Sequence, residues 1–275
     1  MNASYSLRRL LIAFTAIMVL LALHELTLLP DGKLHVHFLD VGQGDSALLI
    51  TPSGKQVLVD GGPDMSVLEH LGKYMPFFDR SIDLVVLTHP HTDHLVALPE
   101  VTRRYRVGHV LLAGTSTDVS HYLALLHEIQ EQQIPVSIAD PMADIDLGDG
   151  VILDVLWPIN SFRNDKNLNN TSVVVRALFA DQSILLTGDI EQEAEDALLE
   201  TGADVRSRVL KAPHHGSRTS SSQQFLLVVN PDQAIISVGE ENSFGHPDPW
   251  TLERYSSLGI PTHETRKEGT VSMEF

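Results

Sequence analysis

The densest concentration of reactive side chains is His89-Pro90-His91-Thr92-Asp93-His94. Imidazole nitrogens and carboxylate oxygens are the ligands that zinc and related divalent cations take. With four such groups inside one short segment, little extra ordering of the chain is needed to converge them on metal. The segment follows Ile82-Asp83-Leu84-Val85-Val86-Leu87-Thr88, a β-branched and aliphatic run that reads as a buried strand. A solvated polar loop would account for any one of these residues. It accounts poorly for all of them together behind a hydrophobic strand.

Other strand-like runs end in similar groups. Gln56 to Val59 leads into Asp60-Gly61-Gly62, Ser183 to Leu186 into Thr187-Gly188-Asp189, and Arg208 to Pro213 into His214-His215-Gly216-Ser217. Alone, an aspartate before a helix reads as an N-cap. His246 sits between Gly245 and Pro247, where no structural need calls for a histidine, and an imidazole titrating near neutrality suits a general acid or a phosphate contact.

The elements that carry these groups alternate along the chain. Leu34 to Leu39 and Ala47 to Ile50 read as strands around the turn Asp40-Val41-Gly42-Gln43-Gly44-Asp45-Ser46. Helical spacing spans Asp64 to Tyr74, Leu95 to Tyr105 with Thr92 or Asp93 as its N-cap, Val119 to Gln132, Glu191 to Glu200, Gln223 to Val229 and Thr251 to Leu258. Strands are expected over Val107 to Ala113, Pro135 to Ala139, Ile145 to Leu147, Val151 to Trp157, Ser172 to Phe179, Gln233 to Val238 and Thr270 to Phe275. His121 and His127 read as surface residues of their helix. Two similar halves, each with candidate ligands at strand ends, imply an αββα sandwich with its site along one rim.

The pattern HxHxDH resembles the signature of the metallo-β-lactamase superfamily. DVGQGDS, Asn169-Asn170-Thr171-Ser172, TGD and HHGS, in that order, resemble the ComEC-like group within it, from about Leu34 to Phe275. The resemblance implies an αββα metallo-β-lactamase sandwich holding two divalent metal ions, zinc or manganese. His89 and His91 would hold metal one. Asp93 and His94 would hold metal two, with Asp189 bridging and His214, first off its strand, as the last ligand. Asp93, His215 and His246 are the expected catalytic groups, and Ser217 is expected to face the leaving group or phosphate. Asp60 would orient a ligand histidine from below, and Asp40 and Asp45 would lie near the metal rim. Asn169, Asn170 and Ser172 stand where many members have a further histidine. An amide oxygen such as that of Asn170 is a weaker, harder ligand, so metal one is expected to bind loosely. The resemblance does not extend to the multi-helix channel of full-length ComEC.

Composition bounds the rest. Arg8 and Arg9 precede the uncharged run Leu10 to Leu23, followed by His24, Glu25 and a second apolar patch ending at Pro30. Residues 1–30 are therefore expected to be a signal anchor or transmembrane segment, and residues 31–275 the hydrolase domain. With Arg8 and Arg9 inside, the protein would be single-pass in the cell membrane and its catalytic domain extracytoplasmic. The chain has no cysteine, which excludes disulfides, thiolate nucleophiles and Cys-type zinc. Its formal charge of −17 weighs against a broad nucleic-acid groove. Arg206, Arg208, Lys211 and Arg218 are the local cations closest in sequence to the second histidine cluster; Arg103, Arg104 and Arg106 read as complements to a helix C-terminus.

The expected activity is metal-dependent hydrolysis of a phosphodiester, DNA among the candidate substrates, with a metal-held hydroxide as nucleophile and a link to DNA uptake. Two alternatives stand beside it: hydrolysis of a small ester such as a choline phosphodiester or lactone, and a catalytically weak interaction domain of a membrane assembly. Turnover and metal content separate the last from the others, and the salt dependence of DNA binding separates nuclease from small-ester hydrolase.

Overall fold

The computed structural model describes residues 2–275, with side chains from Arg8 onward. Two seven-stranded sheets face each other. The first runs in the order Val271–Glu274, His35–Phe38, Ala47–Ile50, Gln56–Val59, Leu84–Leu87, Val110–Leu112, Val136–Ile138. The second runs Thr262–Glu264, Gln233–Ile236, Val209–Lys211, Gln182–Leu186, Val174–Phe179, Val151–Trp157, Ile145–Gly148. Period-two alternation gives each sheet two apolar faces. Val57, Val59, Leu84 and Val86 point between the sheets at Val155, Val175, Ile184 and Leu186, whereas Leu58, Val85 and Leu87 point outward. Helices Ser66–Tyr74, Leu98–Arg104 and Ser120–Glu131 cover that outer face with Leu71, Leu98, Val101 and Leu125. Helices Gln192–Glu200, Gln223–Val229 and Pro249–Ser257 cover the second sheet with Leu198, Phe225, Leu226 and Tyr255. The expected αββα sandwich is the architecture found.

Both faces of the central strands are buried because the strands that matter run parallel. Gln56–Val59, Leu84–Leu87 and Val110–Leu112 are mutually parallel, as are Gln182–Leu186, Val209–Lys211 and Gln233–Ile236. Their C-terminal ends open into loops along one rim, where α/β sheets place their ligands. Val173 N donates to Thr88 O at 2.8 Å and so ties the two sheets together there.

Two expected helix starts move. The first helix begins at Ser66, because the Asp64 carboxylate accepts the Ser66 N–H at 2.8 Å in a turn. The expected helix from Leu95 is split into Thr92–Leu95 and Leu98–Arg104, with Pro99 in the first turn of the second. His91, in extended conformation, precedes the short helix and no side chain caps it, so the Asp93 carboxylate is left free to face the rim.

Ahead of the sandwich, helix Asn2–Thr27 stands apart. Its stretch Arg8–Thr27 has a mean hydropathy of 2.1 and none of it is buried. Its far end meets the domain where the Phe77 N–H donates to the Glu25 carboxylate at 2.8 Å. Nearby, His37 stacks on Tyr74 with ring centroids 4.1 Å apart and its Nδ1 lies 2.8 Å from Ser272 Oγ.

Burial, with help from His35 and Lys73, pushes the His37 imidazole down from 6.5 to about 4. The unfolded chain takes up this proton first, so stability should fall as pH drops from 6.5 to about 4, by up to about 3 kcal/mol from this residue. Urea unfolding of the wild type and His37→Phe at pH 7.5, 5.5 and 4.5 should show a flatter pH dependence in the variant. An unchanged slope would place the proton uptake elsewhere.

Candidate metal centre

The centre is built on Asp60, at the end of Gln56–Val59. One carboxylate oxygen accepts the Thr88 N–H at 2.8 Å, and the other accepts Thr88 Oγ at 2.7 Å and His94 Nδ1 at 2.8 Å. Because the Thr88 hydroxyl hydrogen is directed to Asp60, its oxygen accepts from His89 Nδ1 at 3.1 Å. On the opposite sheet, His215 Nδ1 donates to the carbonyl of Ser237 at 2.9 Å. These partners fix the tautomers of the neutral, metal-binding form: His89, His94 and His215 each anchor Nδ1–H and turn a bare Nε2 inward.

The bare nitrogens meet two aspartates. His94 Nε2 lies 3.3 Å and His215 Nε2 3.2 Å from the same Asp189 oxygen, and Asp93 Oδ2 lies 3.3 Å from His215 Nε2 and 3.9 Å from His94 Nε2. Both Nε2 atoms and Asp189 Oδ1 are buried without a hydrogen-bond partner. Orphaned groups of this kind are rare unless an ion or water satisfies them. Asp93, His94, Asp189 and His215 bring their ligand atoms within 4.8 Å of one another and so suit one divalent cation. Beside them, His89 Nε2 and His91 Nδ1 converge to 3.0 Å, the start of a second site.

Charge makes the same point. Asp45, Asp60 and Asp189 are buried and Asp93 half-buried, against one permanent cation among the described residues, Lys211. Burial favours neutral imidazoles, yet the carboxylates of Asp189, Asp60 and Asp93 hold His94 well above its usual range, and those of Asp189 and Asp45 do the same for His215. Burial and the neighbouring His94 keep His89 well below its range. Divalent cations satisfy the same carboxylates, so metal affinity should rise with pH. The residues present fit such ions.

Two glycines let the backbones approach. A Cβ at Gly188, where φ is +52°, would sit 2.8 Å from the Ser172 side chain and 3.0 Å from Thr88. A Cβ at Gly44 would collide with the Asp93 carbonyl, which accepts the Asp45 N–H at 3.1 Å. The glycines of TGD and DVGQGDS thereby seat Asp189 and Asp93.

Several expected residues lie differently. His214 and His215 both take positive φ, 51° and 54°, so the chain doubles back after the strand. That turn carries His215 inward and leaves His214 at the edge, 4.0 Å from Asp189 and 3.6 Å from Glu191. Asn170 Oδ1 accepts the Glu191 N–H at 3.0 Å; the amide oxygen without a partner is that of Asn169, whose Nδ2 donates to Glu191 at 2.8 Å. Ser172 Oγ donates to Asn169 O at 2.7 Å and accepts the Asp189 N–H at 3.1 Å, which joins the NNTS step to TGD. Ser217 Oγ is tied to Thr219 Oγ1 at 3.0 Å in its own turn. Asp45 is buried, ion-paired with Lys211 and 3.3 Å from His215 Nδ1. For Asp40, the contacts run through its backbone, to Thr270 and His70. His246 approaches His214 at a ring separation of 5.5 Å, and its backbone is clamped by Asn242 at 2.9 and 3.0 Å.

Sequence reasoning missed Thr88, the Ser237 carbonyl and the structural part played by Lys211. Lys211 is 3% exposed, with Nζ 3.7 Å from Asp189, and so is shut off from substrate. Its signal was a charge inside a buried strand pattern. Arg208 pairs with Asp181 and Asp232 at the start of its strand, the end away from the rim.

His215→Ala should lose bound metal and activity, whereas His214→Ala should retain metal; plasma mass spectrometry of the purified variants decides which histidine ligates. Asp60→Ala should weaken metal binding by roughly 10–100-fold by freeing the His94 ring. Equal retention of metal by His215→Ala and wild type would contradict this geometry.

Known proteins share this chain's sequence pattern and fold. The chain is 25% identical to ComE operon protein 3 of Bacillus subtilis, over 87% of this chain and 33% of that protein. It is 28% identical to competence protein ComA of Neisseria gonorrhoeae, over 88% of this chain and 32% of that protein. The chain thus spans about a third of the length of these relatives. The crystal structure of the metallo-β-lactamase fold protein YhfI from Bacillus subtilis superposes with a TM-score of 0.58 and 13% identity, covering 88% of this chain and all of that one. The model of the metallo-β-lactamase superfamily matches residues 39–240, from the strand before DVGQGDS through the loop after Ser237, and the chain belongs to that superfamily.

Proposed function

We propose that this chain is a membrane-anchored, metal-dependent phosphodiesterase with DNA as its substrate class. The observation that carries the reading is the set of buried, unpartnered Nε2 atoms of His94 and His215 aimed at Asp93 and Asp189, beside the His89 and His91 pair. Two divalent cations would supply there the charge that activates water and neutralises a phosphodiester. His89, His91 and one amide oxygen of the Asn169-Asn170 step would hold the first, and Asp93, His94, Asp189 and His215 the second.

The remaining groups position and exclude. Lys211 and Asp45 back the centre with buried opposite charges and fix Asp189 and His215 from behind. The Asp93 carboxyl, 29% exposed, is the acidic group of the cluster that reaches the opening. Burial alone would raise its pKa, but His94 and His215 outweigh that and keep it ionised, suited to orient an attacking water. At the rim, burial and the nearby His214 push His246 to about 4. It is therefore neutral at physiological pH and suits a hydrogen bond to a phosphate oxygen better than the proton donation expected from an unperturbed imidazole.

The names of the competence relatives support DNA as substrate and a link to its uptake. Exposed Phe244 and Trp250 next to the rim, with Arg218 5.6 Å from the Trp250 ring, offer faces on which bases stack. The charge of −17 favours a second reading, a small phosphodiester that needs no long basic groove. The exposed apolar helix supports the anchor, and Arg8 and Arg9 support a domain outside the cytoplasm.

Asp93→Ala and Asp189→Ala should each lower hydrolysis of single-stranded DNA and of bis(p-nitrophenyl) phosphate by more than roughly 100-fold, with metal content falling in parallel. Full activity in either variant would sink the reading. Cleavage of the small ester alone, with no DNA binding at low salt, would select the second substrate class. Removal of residues 1–30 should move the protein from the membrane to the soluble fraction with its circular dichroism spectrum and metal intact; aggregation or metal loss would place that segment in the domain core.

A further inference from the structure

The loop after helix Ser66–Tyr74 exposes two consecutive aromatic side chains, Phe77 at 73% and Phe78 at 70%. Among the described residues of the sandwich it is an unusual place for apolar surface, because Met75 just before it is fully buried. Its position is fixed by the hydrogen bond from Phe77 N–H to Glu25 on the N-terminal helix. Glu25 lies two residues past Leu23, where the uncharged run ends, or about 3 Å further along the helix axis. The aromatic pair thus stands level with the end of the apolar span.

Cations surround it. Arg80 lies 5.6 Å from the Phe77 ring and 5.5 Å from the Tyr105 ring. The Arg80 carbonyl accepts the Arg106 N–H at 2.7 Å, in the two-stranded ladder that pairs Ser81 with Arg106. Lys73 reaches over Tyr74 at 4.9 Å. Two acids lie close and both are engaged: Glu25 accepts the Phe77 N–H at 2.8 Å, and Asp79 accepts from Ser81 at 3.0 Å and from Gln56 at 2.7 Å. On a chain of charge −17, a patch with unpaired Lys73, Arg80 and Arg106 around two exposed phenylalanines is locally of the opposite sign.

We propose that Phe77 and Phe78, with Lys73, Arg80 and Arg106 around them, form a second membrane contact that seats the domain on an anionic lipid surface beside its anchor. The occupant follows from continuity with the apolar helix: a loop pinned to the end of a bilayer-spanning segment lies at the interface, where aromatic rings and basic residues are both favoured. The apolar stretch Arg8–Thr27 is 20 residues, about 30 Å as a helix and matched to a hydrocarbon core of roughly that thickness, so Glu25 and the loop it binds fall in its last turn, at the interface. The contact fixes the tilt of the domain, and hence the side from which substrate reaches the rim. This inference rests on the anchor reading.

The test uses the full chain with Trp250→Phe as background, reconstituted in vesicles of equimolar phosphatidylcholine and phosphatidylglycerol. The remaining tryptophan, the fully buried Trp157, gives a constant emission that is subtracted. Tryptophan is placed at Phe78 in one variant and at Leu21 in another, and quenching by brominated lipid is read. The proposal requires quenching and a blue shift at both positions, with loss of the Phe78→Trp signal when Arg80→Glu and Arg106→Glu are added. Quenching at Leu21→Trp alone keeps the anchor and overturns the second contact. Quenching at neither overturns both. A Phe78→Trp shielded from acrylamide but not reached by brominated lipid marks a protein contact and also overturns the proposal.

Discussion

Several carboxylates and imidazoles are held out of water where the two sheets meet, and the rest of the rim is arranged to make that tolerable. Burying a charge without a partner costs several kcal/mol, so Asp45, Asp60 and Asp189 can share this space only because each has defined donors. Asp60 takes Thr88 and His94, Asp45 takes Lys211, and the Asp189 carboxylate faces His94, His215 and Lys211. Among the described residues, the atoms left unsatisfied at this centre are the inward Nε2 atoms of His94 and His215 and one carboxylate or amide oxygen each of Asp45, Asp189 and Asn169. A rigid scaffold has been used to leave one small volume short of positive charge, which is the property of a metal site rather than of a salt-bridge network.

The fold supplies that rigidity through parallel strands buried on both faces. Each candidate group sits in the loop or short helix that follows a strand, His89 two residues past Leu87, Asp189 three past Leu186 and His215 four past Lys211, so its backbone is fixed by the ladder on one side and by a helix or tight turn on the other. Thr88 shows the economy of the arrangement. Its amide and hydroxyl orient Asp60, its oxygen orients His89, and its carbonyl binds Val173 of the opposite sheet. The N-terminal helix takes no part in this network and meets the sandwich at Phe77.

Much of this was legible in the chain. The hydrophobic runs gave most of the strands, though not Thr262–Glu264 or the order of strands within each sheet, and HPHTDH, TGD and HHGS marked the loops that meet at the rim. Asp60 was readable as a support because a carboxylate under a histidine loop has a clear physical task. The choice between His214 and His215 was not readable, since it depends on two successive residues adopting positive φ, a conformation that histidine does not announce. The free amide likewise turned out to be that of Asn169, because the turn at Leu168–Thr171 hands Asn170 to Glu191. The split of the helix after His94, which frees Asp93, hangs on the single proline at position 99. Sequence periodicity reports faces and element type; it does not report which of two adjacent polar side chains the tertiary structure turns inward.

The most direct measurement is the anomalous scattering from crystals of the protein grown with zinc or manganese. The account predicts a peak bonded to His94 Nε2 and His215 Nε2, at roughly 2.0–2.1 Å for zinc, with oxygen ligands from Asp93 and Asp189, and a second, weaker peak beside His89 and His91. A metal held by His214 in place of His215, or no peak between Asp93 and Asp189, would contradict it.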